Sequence, residues 1–517
     1  MSSATTLNEK GRQPNGAQKP RALDEEEGAA NPAAANGQRN GTASVASYEE
    51  PYQRHLYPTR GGLVRFKDRF LRKGKKNVGV WDSLTAIALS SWLNVFIIFI
   101  PLSWVAHFNN ESRHHHGQDP NDSPFPYGLT FAFSLLAIIP LEKLFDYGGD
   151  QMAHYVGKDL GDLIVITLNN AVEATLAIIL LTKCEIKLLQ STIIGVVILH
   201  LLLIPGTAFI TGGARVIHQD LASPHLNELN HTLLIMGVLA LLLPAAFFSA
   251  LDRGTSEANA TSLVNDQNRQ MFLTMSHGLA LILLFVYIAS RIYLHNPPGD
   301  DNALKTDPNA PTALKHEEDH LMHTEPEVNQ YVCIAMLIIT IALMATTAEW
   351  LVDSIEFVRE GGGIQEEWFG LVLLPIVSFA ADGTVAIAYF ARWLFWHLLG
   401  RSTAPATLAK ARAIDLSIQF TLFWMPFFVL LGWWTNKPLS LLFDIYEVAV
   451  LLGSCFLVNY VTADSKTNWA EGFAMVAFYF MIALTTWFYP GQPEVEEMLS
   501  FKNCISAAGG TEGGAAH

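Results

Sequence analysis

Eleven runs of roughly 20 apolar residues, at about 84–106, 126–147, 161–182, 189–211, 232–252, 272–294, 331–355, 368–390, 413–433, 443–463 and 470–490, leave this chain few ways to fold. Hydrocarbon offers the backbone no hydrogen bonds, so an apolar run of that length reads as a membrane helix, and the series predicts an all-α polytopic membrane protein. Composition agrees: of 517 residues 50% are hydrophobic, only 16% are charged, and 12 are Trp. Four cysteines, Cys184, Cys333, Cys455 and Cys504, have no paired spacing and read as packing residues rather than a zinc site or a disulfide framework. The net charge of -15 is concentrated in the tails and one central loop; it suggests cation handling and gives no reason to expect nucleic acid.

Residues 1–80 carry no apolar targeting core and read as a disordered cytosolic tail ending in a basic cluster: Arg65, Lys67, Arg69, Arg72, Lys73, Lys75 and Lys76. Basic residues beside a first span hold the amino terminus in the cytosol. An odd number of crossings then carries residues 491–517 to the opposite side, with the loops at 295–330 and around Arg401, Lys410 and Arg412 cytosolic. The sequons at Asn110, Asn121 and Asn259 fall on the far side, where they could be glycosylated.

Sliding the chain on itself by 209 residues places Gly161 on Gly370, Ala171 on Ala380, Glu173 on Asp382 and Ala177 on Ala386. Pro205 and Gly212 have approximate counterparts in Pro426 and Gly432. With 84–106 set aside as an extra helix, 126–294 and 331–490 form two groups of five. Odd-numbered repeats enter the membrane from opposite sides, the inverted plan of secondary transporters with a midplane site between the halves.

Asn170 and Glu173 stand three residues apart in an otherwise apolar run and share one helix face. A carboxylate at membrane depth is costly unless it meets protein, water or an ion; a buried helix–helix hydrogen bond would also explain the pair. Asp382 is its counterpart in the second copy, with backbone carbonyls freed near Pro375 and Gly383 to complete a shell for a dication. A buried carboxylate favours a proton and a bound cation favours ionisation, so the two occupants exclude each other, as antiport requires. His200, Asp415, Ser417 and Gln419 sit at similar depth, although His200 also reads as a packing histidine and Asp415 as an interfacial partner of Arg412. Glu142, Asp146 and Asp150, and the stripe Glu349, Asp353 and Glu356, read as gate linings or as solvated helix ends. The acidic loop 295–330 interleaves His316, His320 and His323, and the triplet His114 to His116 lies in another loop. Both could bind metal or be plain linker.

Several stretches together resemble the cation/proton exchanger family typified by vacuolar calcium/proton antiporters of fungi and plants. These are FSLLAIIPL at 133–141, the NAVE core at 170–173 followed by KCEIKLLQSTIIG, AEWLVDSIE at 348–356, GLVLLPIV at 370–377, and FLVNYVTADSKTNWAEG followed by WFYP at 487–490. In that family each repeat carries Gly-Asn-Ala-x-Glu, whose glutamate exchanges calcium for protons. Here the first copy has Asn169 for the glycine, and the second has Ser378, Phe379, Asp382 and Gly383 for Gly, Asn, Glu and the usual His. The Gly-Ser-x-x-Ser-Asn pattern of the fourth helix has become Gly195 to His200, and Asp415 replaces a glycine in the ninth. Losing oxygen ligands should weaken calcium binding, since that ion takes about six to eight.

The resemblance implies a calcium/proton antiporter of the vacuolar membrane or another endomembrane, loading Ca2+ into an acidic lumen against H+. It is a transporter without cofactor rather than an enzyme. Glu173 and Asp382 would hold cation and proton, aided by Asn170, Ser417, Gln419, Asp415 and His200, with Asp150, Glu349 and Asp353 lining the gates. Its partners would be inorganic cations and the bilayer, and the sequence leaves a homo-oligomer open. An exchanger for Na+, K+ or Mn2+, and a non-transporting regulatory paralogue, are the alternatives.

Overall fold

The computed structural model describes residues 66–67, 70–72, 78–115, 125–213, 219–220, 224–252, 264–295, 325–398 and 412–499. The first expected span is two pieces, α1 (Val80–Leu89) and, after a 3-10 segment at Trp92–Ile98, α2 (Phe99–His115). Ser91 sets the interruption: its backbone is extended and its side chain accepts from the Leu93 N–H, which starts a new helix.

The first group then runs α3 (Tyr127–Val156), α4 (Lys158–Asn169), α5 (Ala171–Thr182), α6 (Ile186–Ile198), α7 (Ile204–Gly213), α8 (Pro224–Asp252) and α9 (Asp266–Leu294). The second runs α10 (Gln330–Gly362), α11 (Leu374–Leu398), α12 (Arg412–Gln419), α13 (Met425–Trp434), α14 (Ile445–Val461) and α15 (Trp469–Trp487), with a short α16 (Pro493–Leu499) after it. The first helix of each group, α3 and α10, pack along each other. A two-residue strand pair, β1 (Gln219–Asp220) and β2 (Lys466–Thr467), joins two loops antiparallel, with Gln219 opposite Thr467.

Helices stand at each of the eleven expected positions, but fewer qualify as crossings by length and apolarity. Among the described residues eight do, and the pair α4–α5, bent by 53°, makes a ninth if taken as one span.

Three of these helices contain a π-helical turn, at Leu199–Leu203, Phe369–Leu373 and Phe420–Trp424. Each is followed, after one residue, by a proline: Pro205, Pro375 and Pro426. A proline lacks the N–H for the i−4 bond and its ring crowds that carbonyl, so the preceding turn widens to the i+5 pattern. The turns at 199–203 and 420–424 lie in the fourth and ninth expected helices, which the Pro205 and Pro426 match pairs, so the two copies share a local irregularity as well as sequence. Beside one of them, α6 crosses the 369–373 turn backbone to backbone: a Cβ at Gly195 would overlap the Leu371 carbonyl, and one at Gly370 would lie 2.7 Å from the Ser191 Cβ. Small residues allow that approach.

The cysteines depart from expectation. Cys333 and Cys455 are free and buried, as packing residues should be, but Cys184 is disulfide-bonded. It lies in the turn between α5 and α6 with φ 63, and its sulfur partner is outside the described residues. Sequence spacing cannot reveal a bridge whose ends meet only through the fold.

Candidate cation site

The third span breaks at Asn170, whose backbone (φ -99, ψ 9) ends α4 and starts α5. No proline or glycine stands there. Two consecutive asparagines do the work, because short polar side chains compete with the helix for backbone partners. Asn169 in the orientation that satisfies its neighbours donates to Asp146 Oδ1 (3.1 Å) and to the Val165 carbonyl (3.0 Å). A break of this kind interrupts the backbone ladder between α4 and α5, although the Asn170 N–H still reaches the Leu168 carbonyl; broken helices are the arrangement secondary transporters use to hold ions.

Asn170 is fully buried and its amide donates to Gln419 Oε1 at 2.7 Å. Gln419 in turn donates to Thr167 Oγ1 at 3.0 Å, and Thr167 to the Leu163 carbonyl at 2.7 Å. This relay fixes which end of Asn170 is which. With its NH2 committed to Gln419, its carbonyl oxygen Oδ1 faces the interior, buried and without a hydrogen-bond partner among the described residues. Glu173, one turn on, is 4% exposed, and its Oε1 lies 3.9 Å from His200 Nε2, on the π turn that follows α6. A bulge adds one residue to the helix and so changes which side chain faces the partner; here it presents His200.

The tertiary structure thus brings together Asn170, Glu173, His200 and Gln419, from three separated segments. Thr167 completes the relay and was not anticipated, though its place one turn before Asn170 on the same face could have signalled it. The other expected residues are elsewhere. Ser417 is buried but its hydroxyl donates to the Ala413 carbonyl (3.2 Å) in its own helix. Asp415, at the start of α12, accepts from Asn230 Nδ2 of α8 at 3.0 Å; the side chain of Arg412, its other expected partner, lies outside the described residues. Asp353 pairs with Lys183 at the far end of α5, while Asp150 and Glu349 are exposed. The side chain of Asp382, the 296–324 part of the acidic loop with His316, His320 and His323, Asn121, Asn259 and most of the basic cluster lie outside the described residues.

The second copy does not repeat the break. α11 runs unbroken through 378–383, and Phe379 lies against the backbone of Gly383, where a Cβ would be 2.9 Å from the ring. The amide that ends a helix in the first copy is a phenyl ring here, which has no reason to end one. Pro375, expected to free carbonyls near Asp382, widens the turn at 369–373 instead.

The family model described as sodium/calcium exchanger protein matches residues 127–294 and 332–488, the two groups of helices. A protein of Cryptococcus neoformans var. grubii named vacuolar calcium ion transporter is 30% identical, with 83% of this chain and 80% of that protein covered. One of the same name from Schizosaccharomyces pombe is 29% identical over 78% of this chain and 87% of its own length. The solved structure of native YfkE superposes with a TM-score of 0.54 at 20% identity, over 76% of this chain and 99% of that one, a likeness of fold. Both halves are matched and most of each relative's length is covered: this chain belongs to the sodium/calcium exchanger protein family.

Proposed function

We propose that the protein is a calcium/proton antiporter of the vacuolar membrane that loads Ca2+ into an acidic lumen in exchange for H+. The carrying observation is the buried, fixed oxygen of Asn170 beside the Glu173 carboxylate at a helix break. Calcium is a hard cation that takes oxygen ligands; Asn170 Oδ1, Glu173 and carbonyls at the end of α4 would supply some of them. Glu173 holds Ca2+ when ionised and a proton when the cation has left. His200, against the same carboxylate, is placed to take or return that proton. The names of the relatives above support this assignment, as does a Synechocystis relative named Ca(2+)/H(+) antiporter, 27% identical over 77% of this chain.

Eleven crossings with a cytosolic amino terminus would put the Asp415 end of the site towards the cytosol and the 183–187 loop towards the lumen. A disulfide at Cys184 suits that assignment, since such bonds persist away from the reducing cytosol. The test is flux in proteoliposomes containing the purified protein: an imposed inward-acid pH gradient should drive Ca2+ uptake, and added Ca2+ should release luminal protons. Calcium movement independent of the pH gradient would overturn antiport. A second reading, exchange of Na+, K+ or Mn2+, is favoured by Phe379 replacing the second amide, which leaves fewer oxygens than Ca2+ prefers. Ion competition in the same vesicles separates the two.

A further inference from the structure

About 13 Å from His200 along α6, nine residues at about 1.5 Å each, the helix carries a second polar centre that the cation site does not use. A small cleft opens there, lined by Lys187, Ser191, Glu367, Asp444, Glu447 and Gln492 among others. Glu447, in the first turn of α14, is 3% exposed and accepts a hydrogen bond from the Ser191 hydroxyl. Glu367 is 2% exposed; its Oε1 meets Lys187 Nζ at 2.7 Å and takes no aligned hydrogen bond among the described residues. The segment after α15 closes the cleft: Tyr489 and the Gln492 N–H donate to Asp444, and Lys187 also reaches Glu496 at 2.9 Å.

We propose that Glu447, held by Ser191, is a proton-carrying residue of the luminal port through which protons pass to and from the Glu173 site. This rests on the antiport reading above. The centre is suited to protons rather than to calcium. Lys187 already neutralises one carboxylate, at 2.7 Å from Glu367 Oε1. Between Ser191 and His200 the helix offers only Thr192, whose hydroxyl bonds the Leu188 carbonyl, then apolar residues and Gly195. The port is therefore separated from Glu173 in this conformation, as an alternating path requires. The charged groups facing Glu447 are Lys187 from α6, Glu367 from the turn at 366–368 and Asp444 at the cap of its own helix; Glu496 of α16 reaches the same space through Lys187.

Two variants and two readouts test this. In proteoliposomes with controlled luminal pH, E447Q removes the titrating group and should flatten the luminal pH dependence of exchange while leaving the cytosolic calcium dependence unchanged. S191A keeps the carboxylate but removes the hydrogen bond that favours its ionised form. Exchange should then persist to a luminal pH about one unit higher, a tenfold change in proton concentration, for loss of one bond to a charged group. Infrared difference spectra across a pH titration of purified protein should show a carboxylic-acid band lost in E447Q and shifted in S191A. That readout does not depend on which cation is carried, so it stands if calcium exchange itself is not found. Luminal pH profiles of both variants that superimpose on the wild type, or an unchanged carboxylic-acid band, would overturn the assignment.

Discussion

Asn170 does two jobs with one side chain: its NH2 holds Gln419 at 2.7 Å and its oxygen is thereby turned inward. Replacing it with Asp removes that donor and adds a charge beside Glu173. Asn170→Asp should lower apparent calcium affinity by up to about tenfold, the scale of one lost hydrogen bond between neutral groups, as measured by uptake against calcium concentration. Glu173→Gln keeps the shape and removes the charge, so it should abolish exchange with protein level and targeting intact; undiminished proton-driven flux in that variant would exclude Glu173. The second copy gives a gain-of-function test. Phe379→Asn with Asp382→Glu restores oxygen ligands, and should raise apparent calcium affinity if the second copy still faces the pathway. Asp382→Asn should silence transport on the same premise.

The elements that shape the site are irregular ones, and their irregularity has local causes. The break at 169–170 comes from paired asparagines, and the widened turns from prolines two residues beyond them. Pro205→Ala should let the turn at 199–203 close to an α-helix. That would rotate His200 by about 100°, one residue of a 3.6-residue turn, away from the Glu173 Oε1 it now approaches at 3.9 Å. Exchange should fall while thermal unfolding in detergent stays unchanged or shifts upward, because a helix-breaking residue has been removed. A variant that transports at the wild-type rate would separate the bulge from function.

At the scale of the whole molecule the charged segments lie outside the helices that hold the site. The acidic loop at 295–330 precedes α10 in the chain, and its field is screened over about 8 Å at physiological salt. Neutralising Glu317, Glu318 and Asp319 together should raise the calcium concentration for half-maximal flux mainly at low ionic strength, without changing the cation carried. Faster transport at saturation would indicate autoinhibition instead, and identical curves at both salt levels would leave the loop a linker.

Apolar runs determine membrane helices locally, because each must satisfy its own backbone; hence the helix positions, the two matched halves and the membrane depth of Asn170 and Glu173 could be read from the chain alone. Family motifs extended that reading to Gln419 and His200 as neighbours of the site. Sequence order could not decide which distant segments meet. It could not show that Asp415 accepts from Asn230 of α8, or that Lys183 reaches Asp353. The missed features, the Cys184 bridge and the Ser191–Glu447 contact, join residues far apart in the chain. A side chain's partner is set by helix crossing and rotation, which depend on all the contacts at once, and only the tertiary structure decided them.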